Sequence, residues 1–185
     1  MITRHLPFPA PLGTLSASAT AEGIVGLWFT SGADQDPAPG TAEASVPDPG
    51  PPAARADHSD PADPAAVRHL DQLEAELRAY VEGRLLTFTV PLRPSGTAFQ
   101  RQVWEALATI PYGRTCSYAA LTEQLGYPLT AARALGQANG QNPIAILIPC
   151  HRVVQRGGGL GGYGGGLERK AWLLAHERRH APKDD

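Results

Sequence analysis

The stretch SYAALTEQLGYPLTAARALGQANG, residues 117–140, reads as two short helices joined by a tight connection, and this reading decides the fold. Ser117 stands where a side-chain oxygen can cap the first helix, which Gly126 ends. Thr130 stands in the same relation to the second, which Gly140 ends. Only GYPL separates them, the spacing of a helix-turn-helix, although such helix pairs also serve as plain packing units. The second helix sets one long cationic side chain, Arg133, among Ala131, Ala132, Ala134, Gly136 and Ala138. Small residues of this kind permit close helix packing. They equally let a backbone approach a phosphodiester chain while Arg133 enters the duplex, which suits shape or minor-groove binding rather than the reading of base edges.

Toward the N-terminus, TAFQRQVWEALATIPYG predicts a further helix: Thr97 and Gln100 have capping-box spacing, Phe99, Val103 and Leu107 form an apolar stripe, and Pro111 and Gly113 end it. Residues 1–91 read as a small α+β domain. LGTLSASAT and IVGLWFT flank AEG as a hairpin over 12–30, Val67, Leu70, Leu73, Leu77 and Tyr80/Val81 recur at helical spacing, and Leu86, Phe88 and Val90 alternate as in a strand. Between hairpin and helix, about 31–64, the composition turns to Pro, Ala, Asp and Gly with almost nothing to bury, which predicts a disordered insertion. Residues 92–180 form the second unit and 181–185 a disordered tail.

A chain of 185 residues, 42% hydrophobic, suffices for one core, or for one core with a small second domain. The net charge of −2 conceals an asymmetry: residues 1–91 carry 5 basic and 12 acidic side chains, residues 92–180 carry 10 and 4, so the halves differ in sign. The basic half points to a polyanion partner; the acids of the first half serve at least to solvate the insertion. No run approaches the ~18 apolar residues of a membrane span, and the start lacks the pattern of a secretory signal, so a cytoplasmic protein with no membrane partner is expected. In that compartment the two cysteines, Cys116 and Cys150, are expected as free thiols. Neither lies in a Cys-x-x-Cys pair, and the histidines lack ligand spacing, so no metal or other cofactor is expected.

Downstream, PIAILI reads as a buried strand that gives way to PCHRVV, where Cys150 has His151 and Arg152 beside it. A cysteine there is either an inert buried thiol or a nucleophile whose cationic surroundings favour the thiolate. On an extended chain neighbouring side chains point to opposite faces, so His151 needs a turn or a bridging water to serve the sulfur. RGGGLGGYGGGLERK follows, a flexible linker or a loop that wraps a flat ligand around Tyr163; its formal G-x-G-x-x-G match carries little weight, and no P-loop follows. A last helix, LERKAWLLAHE, is expected to turn Leu167, Ala171 and Leu174 inward and to leave Lys170 and Glu177 solvated.

NPIAILIPCHRVV and GYGGGLERKAWLLAHE, with FQRQVWEALATIPYGRTCSYAAL and AARALG upstream, closely resemble the 6-O-alkylguanine-DNA alkyltransferases, also called methylated-DNA–protein-cysteine methyltransferases. The likeness covers nearly all of 92–180; the N-terminal half matches in architecture only. It implies a winged helix-turn-helix-like alkyltransferase domain after the small α/β domain, acting as a monomer on double-stranded DNA. The activity it implies is direct repair: 6-O-alkylguanine, mainly 6-O-methylguanine and also 4-O-methylthymine, is flipped out and its alkyl group moves irreversibly to Cys150, once per molecule. By the same resemblance His151, a water and Glu177 relay the thiol proton, which restores a solvated residue to the site, and Tyr118 donates a proton to the departing guanine. Arg133 fills the gap left by the flipped base, with Ala132 and Gly136 beside it at the DNA. Asn142 fixes the turn, and Tyr163, Gly164 and Lys170 line the guanine pocket. Gly164 stands where some relatives carry serine, so a backbone amide replaces a hydroxyl there. Two rival readings are a module that recognises alkylated DNA without repairing it, which would lack the cysteine, and a cysteine hydrolase, whose base would come from a distant segment.

Overall fold

The computed structural model describes residues 1–30 and 63–182. The expected insertion and the end of the tail therefore lie almost wholly outside the described residues. Three strands open the chain, β1 (Ile2–Pro7), β2 (Thr14–Thr20) and β3 (Gly23–Phe29), and they form one antiparallel sheet in that order. β2 and β3 are the expected hairpin; β1 is an addition, because ITRHLP carries little apolar alternation and is recruited by pairing Leu6 with Leu15. In β2, Leu15 to Ala19 are all buried, and small side chains make that possible. The two buried hydroxyls find partners across the sheet: Ser16 Oγ lies 2.7 Å from His5 Nδ1, and Ser18 Oγ 2.7 Å from Thr3 Oγ1.

Helix α1 (Pro64–Val81) starts where Asp63 caps Ala65 N–H at 2.8 Å, with proline at the first helical position. Its buried face is Ala66, Leu70, Leu73, Leu77 and Tyr80, so Ala66 takes the place expected of the half-buried Val67. The strand expected over 86–90 does not form. Burial alternates there as predicted, but the Thr89 and Val90 amides donate to the Glu76 carboxylate, at 2.9 and 3.2 Å, in place of a partner strand.

Both following segments instead attach to β3. The amide of Ile24 donates to Pro91 O and its carbonyl accepts from Arg93, while Leu27 pairs in the same way with Pro143 and Ala145. PIAILI is thus not a strand: it meets β3 at Ile144 only, and Ile146 adopts φ 70°, which turns the chain. α2 (Ala98–Ala108) carries the expected capping box, and its buried Trp104 donates to Ala138 O at 2.9 Å. β4 (Cys116–Ser117) leads into α3 (Tyr118–Gln124), capped by Ser117, and Gly126 follows at φ +74°. Thr130 is not a cap. It lies inside a 3₁₀ turn, Leu129–Ala131, and α4 (Ala132–Gly140) begins after it without a side-chain cap. The 3₁₀ turn Cys150–Arg152 runs into β5 (Val153–Val154), which pairs parallel with β4, and α5 (Leu167–His180) closes the fold. The architecture is the expected α+β, a small sheet with a helix followed by a helical half, and its buried apolar residues form one cluster running from Leu6 to Leu173. Among the described residues no helix is long and apolar enough to cross a membrane.

Candidate active site

Cys150 and Cys116 are both free thiols, but in different settings. Cys150 opens the 3₁₀ turn and is 6% exposed. Asn142, directly after α4, holds that turn: its Nδ2 donates to Ile148 O at 2.8 Å and to Cys150 Sγ at 3.0 Å, and its Oδ1 accepts the Ile144 amide at 3.0 Å. Because Cys150, His151 and Arg152 form a turn, the objection drawn from an extended chain does not apply. The expectation of a favoured thiolate is also overturned. Burial pushes the Cys150 thiol up, and the bond from Asn142 and the charge of Lys170 offset that only in part.

Arg152 is turned away from the sulfur and engages Glu177, Nε to Oε2 at 2.8 Å and Nη2 to Oε1 at 2.9 Å, and also Ile110 O. Glu177 is fully buried. Its Oε1 further accepts His151 Nε2 at 2.9 Å and the Tyr80 hydroxyl at 2.9 Å; its Oε2 accepts the Gly113 amide at 3.1 Å. Burial alone would raise this carboxyl, but the bonds from His151 and Arg152 outweigh it and hold the pKa at about 2. Burial lowers His151, against the pull of Glu177. An ionised carboxylate only accepts, so neutral His151 carries its proton on Nε2 and leaves Nδ1 a bare lone pair, buried and without a partner among the described residues.

The inward face of α5 is Lys170, Leu173, His176 and Glu177, whereas Leu167 and Ala171 are exposed and Leu174 is half-buried. The expectation of an apolar inner face therefore fails, because buried acceptors fix this helix. Lys170 Nζ donates to Val153 O at 2.8 Å and Gly162 O at 3.4 Å and lies 6.0 Å from the centre of the Tyr163 ring. Burial lowers Lys170, with Cys150 opposing. Tyr163 has a buried hydroxyl without a partner among the described residues; burial first, then the Cys150 sulfur, push its pKa up. The same two causes raise Tyr118, the first residue of α3, so both phenols hold their protons beside the sulfur. The glycine loop packs on Tyr118: at Gly161, φ +65°, a Cβ would come within 3.4 Å of that ring. Gly164 is exposed, with open space at its Cβ position.

Arg133 lies on α4 with its side chain exposed, and Ala132 and Gly136 beside it are half-buried. Cys116 ends on the strand side of Tyr118, its thiol raised by burial alone and bonded to Ser117 O at 3.5 Å. Sequence reasoning did not find the roles of Tyr80, Gly113 and Arg152 around Glu177. Arg152 stood in plain view beside His151, but Tyr80 was indistinguishable from a core residue of α1.

Residues 98–179 match the family model described as "6-O-methylguanine DNA methyltransferase, DNA binding domain". The solved O6-methylguanine methyltransferase of Mycobacterium tuberculosis aligns over 99% of this chain and 97% of its own, at 35% identity and a TM-score of 0.70. The chain belongs to the 6-O-methylguanine-DNA methyltransferase family. A second solved structure, Mycobacterium tuberculosis OGT in complex with DNA, matches at 37% identity over 96% of this chain and 94% of that one, with a TM-score of 0.72. The methylated-DNA–protein-cysteine methyltransferases of Mycolicibacterium paratuberculosis and Shigella flexneri are 59% and 54% identical over 107 and 106 residues, 58% and 57% of this chain. Those alignments span 64% and 61% of the relatives' own lengths, a little under two thirds. A methyltransferase structure from Methanococcus jannaschii, 21% identical with a TM-score of 0.61, shares the fold.

Proposed function

We propose that this chain is a methylated-DNA–protein-cysteine methyltransferase that repairs 6-O-alkylguanine in duplex DNA by direct reversal. One observation carries the reading: a buried thiol, held by Asn142 at 3.0 Å, shares its turn with a neutral histidine whose free lone pair is backed by a buried carboxylate. Since burial keeps Cys150 protonated at rest, deprotonation belongs to the reaction itself. His151 Nδ1 takes the thiol proton through a bridging water, and Glu177 stabilises the imidazolium. Sγ then bonds to the alkyl carbon as the bond from that carbon to the guanine oxygen breaks. The electron pair leaves with guanine, which accepts a proton from Tyr118, and the proton held by His151 restores the phenol. Tyr163, Lys170 and the backbone at Gly164 line the pocket.

Arg133, exposed on a helix of small residues, fills the stack after the base is flipped, with Ala132 and Gly136 close to the backbone. In this reading residues 92–180 are the DNA-binding and alkyl-transfer unit, 1–91 is a supporting domain, and the protein is a cytoplasmic monomer. The thioether product has no activated carbonyl and a poor leaving group, so each molecule acts once. An oligonucleotide with a single 6-O-methylguanine should add one methylene to the peptide carrying Cys150, with one equivalent per protein, and Cys150→Ala should bind the DNA yet gain no mass. Binding without any mass gain by the unaltered protein would identify a recognition module. Sustained turnover would identify a hydrolase. With 4-O-methylthymine the same mass gain is expected.

A further inference from the structure

A side chain of the N-terminal half donates to the Glu177 carboxylate. Tyr80, near the end of α1 and 97 residues from Glu177 in sequence, is fully buried and donates its hydroxyl to Glu177 Oε1 at 2.9 Å. That oxygen is the one that accepts His151 Nε2. We propose that Tyr80 is a positioning residue of alkyl transfer, whose hydroxyl shares Glu177 Oε1 with the His151 N–H and so sets both the direction of the carboxylate and how strongly it draws a proton to His151. The inference rests on the reading that His151 and Glu177 serve Cys150.

The ring of Tyr80 is fixed independently of its hydroxyl. It meets Phe88 at 5.3 Å, Tyr112 at 5.9 Å and His176 at 5.3 Å between centroids, and its carbonyl accepts from His176. Phenylalanine would keep those contacts and remove only the donor. The charged and titratable groups around the pair are Arg152 on the catalytic turn, Tyr112 before β4, Tyr163 in the glycine loop, and Lys170 and His176 on α5. None of the others donates to Oε1 except Arg152, which is divided between both carboxylate oxygens.

The sign follows from competition. A donor removed from Oε1 leaves more negative charge facing His151, which favours the imidazolium and raises the pKa of His151. Neutral His151 is the base, so the acid limb of the single-turnover rate against pH should move to higher pH in Tyr80→Phe. One neutral hydrogen bond corresponds to a shift of roughly 0.5–1 unit. The rate at the plateau should fall about 3- to 10-fold as the carboxylate loses its direction. Tyr80→Leu, which also removes the ring, should show the same displaced limb with a larger loss of thermal stability.

The measurement is single-turnover transfer from a 6-O-methylguanine oligonucleotide to the full chain across pH 5 to 9, with melting followed in parallel. A Tyr80→Phe profile superimposed on that of the unaltered protein, with or without a lower melting temperature, would overturn the inference and reduce Tyr80 to a packing residue. Should the unaltered protein transfer normally while Glu177→Gln does so too, the relay reading fails first, and Tyr80 with it. A shifted limb beside a disabled Glu177→Gln supports both.

Discussion

Helices α1 and α5 bury faces of opposite character. α1 turns Ala66, Leu70, Leu73 and Leu77 inward and adds one phenol at Tyr80; α5 turns Lys170, His176 and Glu177 inward around Leu173. The first is held by removal of apolar surface from water, about 2 kcal/mol or more for each buried leucine. Burying a lysine and a glutamate costs free energy unless each is matched, and here Glu177 receives five hydrogen bonds while Lys170 donates to two carbonyls. A replacement by apolar residues could hold α5 at least as well. The polar face is therefore evidence of chemistry, whereas the face of α1 is evidence of packing, except at Tyr80, where the two helices meet.

The largest expected effect lies on α5. On the proposed relay, Glu177→Gln removes the carboxylate assigned to stabilise the His151 imidazolium and should slow alkyl transfer about 100-fold or more, measured by single-turnover mass labelling. If it leaves the rate unchanged, the contrast between the helices has no functional content. Next comes Leu73→Ala on α1. It should cost about 2–5 kcal/mol in urea unfolding, with the rate constant of the folded fraction intact; an equal loss of rate would mean that both faces serve the site.

The pH dependence of stability sharpens the same contrast. Glu177 has its carboxyl lowered on folding from an ordinary 4.5 to about 2. Its stabilisation is thus complete above the unfolded value and is lost as pH falls from about 5 to about 2, up to roughly 3 kcal/mol. Urea titrations at pH 6 and pH 3 should show this loss in the unaltered protein and a smaller one in Glu177→Gln. The smallest effect belongs to Cys116. Half-buried, with its thiol bonded only to Ser117 O among the described residues, it should tolerate Cys116→Ser with transfer within about 2-fold. Alkyl label recovered on Cys116 would undo the distinction between the thiols.

Much of the helical half was legible because its signals are local. Thr97 with Gln100, and Ser117 with Gly126, are caps that act within three to nine residues, and the structure keeps them. Errors arose where a partner distant in sequence decided the outcome. Residues 86–90 alternate like a strand, but their amides were taken by Glu76; PIAILI is apolar enough for a strand, but β3 grips it at a single bridge and Ile146 turns it. Thr130 lost its capping place because the chain tightens into a 3₁₀ turn after Pro128. On α5 the stripe of Leu167, Ala171 and Leu174 was misread, since a periodicity count rewards apolar residues and ignores that Val153 O, His151 and Arg152 wait on the facing turn.

By itself the sequence determined the helix-turn-helix, the hairpin and α1, and it set Cys150 beside His151 and Arg152, because side-chain period, caps and the Pro-Cys-His-Arg stretch are properties of neighbours along the chain. Only the tertiary structure decided how deeply that thiol is buried and which groups surround His151. Burial raises Cys150, and Glu177 gathers Tyr80, Gly113, His151 and Arg152 from three separate segments onto two oxygen atoms. Desolvation and the competition of donors for one carboxylate depend on distances in space, and no spacing along the chain encodes them.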